Sequence, residues 1–138
     1  IGIITANLSM SLLSSLACGA ERAARENGCN LVMRNSLYET QSEIEAIESL
    51  KESNCEAIIL HSEYSDEKTL IELCDKYPGL VIINRFIPQI AERCVWLDNI
   101  NSSQEATNYL LDFGHKNLAV ITSIYQNRDP ASRRGLEL

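Results

Sequence analysis

Short apolar, β-rich runs alternate with helix-period segments along the whole chain, and this alternation narrows the possible folds more than any other feature. Six runs are predicted to be strands: Ile1–Thr5, Leu31–Arg34, Ala57–Leu60, Leu80–Ile83, Cys94–Leu97 and Leu118–Thr122. Most are continuously apolar, which is typical of parallel strands that are covered on both faces. The pattern therefore predicts an α/β fold with a buried, doubly wound parallel sheet.

Four helices are predicted between these strands. Helix one carries an apolar stripe at helical spacing and ends at Gly28; the stripe is Leu12, Leu13, Leu16, Ala17, Ala20 and Ala24. Helix two opens with the capping box Thr40-Gln-Ser-Glu43, whose hydroxyl and carboxylate would satisfy backbone amides. Its inner side would be Ile44, Ile47 and Leu50. The acidic residues of helix two are interpreted as a solvated face; they are Glu43, Glu45, Glu48 and Glu52.

Helix three is predicted to begin near Ser65 and to stop before Pro78, with an inner side of Leu70, Leu73, Cys74 and Tyr77. Helix four would begin with a second capping box at Ser102 and end at Gly114. Its inner side would be Ala106, Tyr109, Leu110 and Phe113. Residues 84–93 lack a helical pattern, so we expect a short loop containing Pro88 between two strands.

Composition excludes several classes of protein. With 12 Lys and Arg against 19 Asp and Glu, the formal charge is -7, which argues against a large face lying on nucleic acid phosphates. The apolar runs are too short to span a bilayer, so no membrane association is predicted. Five cysteines at irregular spacing indicate neither a disulfide framework nor a zinc site, and they favour reduced thiols in a cytoplasm.

Polar residues follow all six predicted strands, at the edge of a parallel sheet where ligands bind. They are Asn7; Asn35 and Ser36; His61 and Ser62; Asn84 and Arg85; Asp98, Asn99 and Asn101; and Ser123. Amide and carboxylate oxygens accept hydrogen bonds from sugar hydroxyls, while amide nitrogens and a guanidinium donate to them. The set favours a sugar or a nucleoside. The alternative is that these residues form turns and caps, with His61 a hydrogen-bonded residue at the edge of the core.

Signatures of catalysis are missing from the sequence. The turn after the first strand has no phosphate-binding glycines, and neither G-x-S-x-G nor H-E-x-x-H occurs. We therefore expect no enzyme activity, no cofactor and no metal. The rival hypothesis of a small doubly wound enzyme would require a catalytic group of perturbed pKa in a closed pocket.

Five stretches carry a resemblance that covers essentially the whole chain: Ile1-Gly-Ile-Ile, Ala6-Asn-Leu-Ser-Met-Ser-Leu-Leu13, Leu80-Val-Ile-Ile-Asn-Arg85, Arg93-Cys-Val-Trp-Leu-Asp-Asn99 and Leu110-Leu-Asp-Phe-Gly-His-Lys-Asn-Leu-Ala119. The chain resembles the effector domain of the lactose/galactose repressor (LacI/GalR) family, in particular its galactose-repressor branch. A strand ending in Leu-Asp-Asn and a helix ending in Gly-His are together fairly specific for this family.

The resemblance implies two similar lobes of the type I periplasmic-binding-protein kind, with sugar held in the cleft between them. Residues 1–125 would form the first lobe, and residues 126–138 would begin the crossover into a truncated second lobe. A helix-turn-helix headpiece outside this chain would bind the DNA operator. Both ends lie within predicted elements, so we expect the chain to continue on either side.

The resemblance also implies roles for individual residues. Asn7 corresponds to a polar contact after the first strand, Asn84-Arg85 resembles a pair that grips sugar hydroxyls, and Asn101 corresponds to a sugar contact of helix four. Either Arg133 or Arg134 resembles the arginine at the crossing. The first loop, with Met10, Leu12 and Leu13, would face the ligand, although many relatives carry aromatic rings there that stack on the sugar.

Together these features predict the sensor part of a cytoplasmic transcriptional repressor, in which a galactose-like sugar allosterically controls operator binding. The resemblance implies a homodimer formed partly through helices one and two. Leu8, Met10 and Leu12 lie either at that interface or in the core. The alternative function is a periplasmic sugar-binding protein of a transporter, which shares the fold.

Overall fold

The structure, a computed structural model, describes residues 1–7 and 11–121. Its strands are β1 (Gly2–Thr5), β2 (Val32–Asn35), β3 (Ile58–His61), β4 (Leu80–Ile83) and β5 (Cys94–Val95). Its α-helices are α1 (Ser11–Glu26), α2 (Thr40–Glu52), α3 (Glu67–Lys76) and α4 (Asn99–Asp112). A 3-10 helix covers Pro88–Arg93. The chain divides into two compact units, the first being Ile1–Trp96, and each is described by itself.

The five strands form one parallel sheet in the order β2-β1-β3-β4-β5. The step from β1 to β2 crosses the sheet in the opposite direction to the steps from β2 to β3 and from β3 to β4. Because such crossovers are right-handed, α1 lies on one face of the sheet, and α2 and α3 lie on the other. The predicted doubly wound α/β fold is therefore confirmed.

The core lies between the sheet and the pair α2 and α3. Ile4, Leu60 and Ile82 stand side by side on β1, β3 and β4 and are fully buried. The side chains that pack with them come mainly from the two helices: Ala46, Ile47, Leu50, Leu70, Leu73 and Cys74. The predicted inner sides of α2 and α3 are thus confirmed in outline, with Ile44 and Tyr77 only partly buried.

The opposite face of the sheet carries Ile3, which points away from Ile4 because side chains alternate along a strand. α1 buries Leu13, Ala17 and Ala24, at intervals of four and seven residues. Leu12, predicted as part of this stripe, is 56% exposed. Successive residues of a helix are rotated by about 100° around its axis, which is enough to turn Leu12 outward when Leu13 faces the core.

The predictions for the strands were wrong in three places. Residues 118–121 form no strand, and Thr122 lies outside the described residues. Their apolar run has the composition of a strand, but a strand also needs a neighbouring backbone to bond, and the described residues give it none. β5 is shorter than predicted, with two residues. β2 is not buried: it stands at an edge of the sheet, and its four side chains are exposed.

The predictions for helix ends were also wrong in places. α4 begins at Asn99, where Asp98 accepts a hydrogen bond from the Asn101 amide at 3.0 Å, so the predicted capping box at Ser102 lies inside the helix. No residue of α4 is buried, and the predicted inner side is exposed, with Phe113 at 69%. A period of 3.6 identifies an apolar face, but it does not say what covers that face. The loop with Pro88 contains the short 3-10 helix.

Candidate functional site

Three neighbouring strands bring predicted site residues to one edge of the sheet. Asn7 follows β1, His61 ends β3, and Asn84 follows β4, with β3 in the middle of the three. β1 and β3 are also where the strand order reverses, which is the place where doubly wound sheets bind ligands. Adjacent strands are about 4.8 Å apart, so β1 and β4 span about 10 Å, enough for one pyranose ring.

Asn84 holds its position at this edge through an unusual backbone conformation. Its φ angle is 62°, in the left-handed region that Asn tolerates better than most residues. Its backbone N–H donates to the Val95 carbonyl oxygen at 2.8 Å, and its side-chain Nδ2 lies 3.3 Å from His61 Nε2. His61 is buried, and its Nε2 lies 3.7 Å from the Glu63 carboxylate. The interpretation of His61 as a hydrogen-bonded residue at the edge of the core fits this geometry.

Arg85 is half-buried beside Asn84. Its Nη1 donates a hydrogen bond to the Ser65 carbonyl oxygen at 2.5 Å. A guanidinium has five N–H donors in a fixed plane, so one bond to the protein leaves the others able to bind hydroxyl oxygens. The contact with Ser65 therefore fixes the direction of the side chain without exhausting its donors.

Glu43 is a buried carboxylate that sequence reasoning assigned to the wrong environment. It is 0% exposed, and its Oε2 accepts hydrogen bonds from Ser65 Oγ at 2.6 Å and from Ser62 Oγ at 2.8 Å. α2 has Glu39 at its N-cap with no side-chain cap bond, so the predicted capping box is wrong. Burial raises the pKa of Glu43, while the two serine hydroxyls and the nearby Arg85 guanidinium oppose that rise.

A signal for this burial was present in the sequence. Glu43 precedes Ile47 by four residues and Leu50 by seven, so it lies on the inner face that the same helical period predicts. A hydroxyl followed three residues later by a carboxylate is also the pattern of a capping box. The prediction followed that pattern rather than the helical period of the apolar residues. The inner position is the correct one, because the carboxylate finds two hydroxyl donors there.

Aromatic pairs occupy the same edge, and sequence reasoning did not single them out. Tyr38, after β2, meets Tyr64, after β3, edge to face with ring centroids 5.8 Å apart. Phe86, after β4, lies against Trp96, after β5, with centroids 4.6 Å apart. Tyr64, Phe86 and Trp96 are exposed. The first unit therefore has exposed ring surface at this edge.

The other predicted site residues have different positions. Leu13 is only 1% exposed and faces the interior, so it is not available to a ligand in this structure, whereas Leu12 is exposed. Asn101 lies in the first turn of α4, in the second unit. Met10, Arg133 and Arg134 lie outside the described residues, as do Leu8 and Ser123.

All five cysteines are free; Cys55 and Cys74 are buried, Cys94 is half-buried, and Cys18 and Cys29 are exposed. Within residues 1–7 and 11–121, no three His, Cys, Asp or Glu side chains are grouped as metal ligands would be. None of the helices in the part of the chain that the structure describes is both long and apolar enough to cross a membrane.

Comparison with known proteins gives a consistent result. The family model of periplasmic binding proteins and the sugar binding domain of the LacI family matches residues 1–135. The HTH-type transcriptional regulator GalS of Salmonella typhimurium is 34% identical over 134 residues, which cover 97% of this chain and 39% of that protein. The regulator GalR of Escherichia coli is 28% identical over 133 residues, again 39% of its length. The chain thus spans about two fifths of these relatives.

Solved structures show the same fold. The crystal structure of the Escherichia coli transcriptional repressor ascG superposes with a TM-score of 0.88 at 24% identity, over 98% of this chain and 49% of that one. A sugar-binding transcriptional regulator of the LacI family from Escherichia coli gives a TM-score of 0.82. With the match over residues 1–135, the chain belongs to the family of periplasmic binding proteins and LacI-type sugar-binding domains, and it is similar to the effector-binding domains of LacI/GalR regulators.

Proposed function

We propose that this chain is part of the sugar sensor of a transcriptional repressor and that it binds a small, galactose-like sugar. The observation that carries the proposal is the pair Asn84-Arg85 at the carboxyl end of β4, next to the point where the strand order reverses. The names of the relatives GalS and GalR, which are transcriptional regulators, support the regulatory role. They also favour a protein that is not an enzyme.

The chemistry of the pair suits a polyhydroxylated ligand. The Asn84 amide can both donate to and accept from a hydroxyl, and the Arg85 guanidinium can donate to two hydroxyl oxygens at once. Asn7 lies two strands away and would bind the opposite side of the same ring. The exposed rings at this edge, such as Phe86 and Trp96, would cover the apolar face of the sugar.

The proposed mechanism is allosteric. Sugar bound between this lobe and a second lobe would change the angle between them, because it gains contacts only in the closed arrangement. In a cytoplasmic homodimer formed partly through helices α1 and α2, this change would alter the spacing of two headpieces on the operator. Asn101 and one of Arg133 and Arg134 would add further contacts with the sugar.

The second candidate function is a periplasmic sugar-binding protein, which the description of the matched family also includes. The regulators among the relatives favour the first candidate. A helix-turn-helix segment preceding this chain in the full-length protein would exclude the second candidate. A secretory leader in that place would support it.

Calorimetric titration of the full-length protein with galactose, related sugars and nucleosides tests the proposal. The double variant Asn84→Ala, Arg85→Ala should abolish binding, whereas Arg22→Ala, an exposed arginine of α1, should leave it unchanged. Asn84→Gly separates ligand contact from backbone strain, because glycine accepts a φ of 62° but has no amide. Binding that survives the double variant, or the absence of binding to any compound, would contradict the proposal.

A further inference from the structure

Glu43 lies beneath the candidate site and has no role in the proposed contacts with sugar. A buried carboxylate is costly unless hydrogen bonds compensate for its lost water. Here Oε2 receives both serine hydroxyls, while Oε1 has no hydrogen-bond partner among the described residues. Both bonds therefore go to a single segment of the chain, the loop between β3 and α3.

The two serines stand at the two ends of that loop. Ser62 follows the last residue of β3, and Ser65 precedes Asp66, the N-cap of α3. One oxygen of Glu43 thus fixes both ends of a four-residue segment, at 2.8 Å and 2.6 Å. Between them lie Glu63, whose carboxylate is near His61, and Tyr64, whose ring meets Tyr38. The loop is tied to α2 across the carboxyl edge of the sheet.

The same loop holds the proposed sugar-binding arginine. The carbonyl oxygen of Ser65 accepts the hydrogen bond from Arg85 Nη1, so Ser65 bonds to Glu43 through its hydroxyl and to Arg85 through its backbone. The guanidinium is also close enough to lower the pKa of Glu43, although burial raises it more. A continuous chain of contacts therefore runs from α2 through one serine to the end of β4.

We infer that Glu43 is a positioning residue of the sugar site. It fixes the loop of residues 62–65 through both serine hydroxyls, and the Ser65 carbonyl in turn sets the direction of the Arg85 guanidinium. The inference rests on the proposed function of Arg85 as a sugar contact. It adds a residue of α2 that touches no ligand and on which the affinity nevertheless depends.

Affinity measurements on the full-length protein test the inference with five variants. Glu43→Ala should weaken galactose binding at least tenfold, whereas Glu43→Gln, which keeps an oxygen acceptor, should stay within threefold of the unmodified protein. In an Arg85→Ala background, Glu43→Ala should add less than a twofold loss, because the residue that it positions is gone. Glu52→Ala, an exposed carboxylate of the same helix, is the control and should bind normally.

A second measurement needs no sugar. Phenylglyoxal modification of Arg85, followed by mass spectrometry, should be faster in Glu43→Ala than in Glu43→Gln or Glu52→Ala. If Glu43→Ala does not fold, Ser65→Ala removes the same hydroxyl bond and should show the faster modification. Unchanged modification would overturn the inference, as would an affinity loss that persists in full without Arg85. If no sugar binds while modification does speed up, the proposed function fails and the positioning role stands.

Discussion

Replacing Gly2 by alanine should destabilise the protein through a single collision in the core. A Cβ at Gly2 would lie 2.6 Å from Leu50 Cδ1 and 3.2 Å from its Cγ and Cδ2. Leu50 is fully buried and packs against the sheet with Ile47, so it has little room to withdraw. Overpacking of this kind costs about 1–3 kcal/mol, and alanine recovers only about 0.4–1 kcal/mol by restricting the unfolded chain.

The collision predicts a specific coupling between the two positions. Leu50→Ala alone should cost about 2–5 kcal/mol, because it leaves a cavity. In the Gly2→Ala background the same change removes the colliding atoms, so its added cost should fall by about 1–2 kcal/mol. Urea unfolding followed by circular dichroism gives all four stabilities. Equal costs of Leu50→Ala in the two backgrounds would refute the steric reasoning, and so would a Gly2→Ala variant as stable as the original.

The shifted pKa values of Glu43 and Asp66 each predict a dependence of stability on pH. Burial raises the pKa of Glu43, although the hydroxyl of Ser65 and the charge of Arg85 oppose the rise. The protein should therefore lose stability relative to Glu43→Gln as pH rises from 4.5, and the loss should level off above the raised pKa. Parallel urea midpoints of the two proteins at all pH values would contradict this. The Thr69 amide lowers the pKa of Asp66, so Asp66→Ala should be less stable at neutral pH, with the difference vanishing as pH falls well below 3.8; hydrogen exchange at the start of α3 measures it.

Local pattern predicted the first four strands to within about one residue at each end, and the reason lies in their surroundings. Leu80–Ile83 is continuously apolar, and in the structure it lies between β3 and β5 with α3 against it, each of its residues buried or half-buried. Where burial alone requires apolar residues, the strand can be recognised from its sequence. The run at Leu118 has the same composition, yet its described residues form no strand. Pairing depends on a partner that composition does not identify.

The residues of the candidate site differ in the same way, because some could be placed from the sequence and others could not. Asn84 and Arg85 could be placed by topology, since any residue that follows β4 in a parallel sheet reaches the edge that also carries the end of β3. Glu43 could not be placed in that way, because its partners Ser62 and Ser65 are 19 and 22 residues distant and only the crossover from β2 to β3 brings α2 over them. The position of a residue that follows a strand can be predicted from the order of the strands. The partners of a buried residue such as Glu43 are known only once the packing of the helices is known. For this reason the affinity of Glu43→Ala, more than that of any strand-end variant, measures what the packing of α2 adds to the proposed sugar binding.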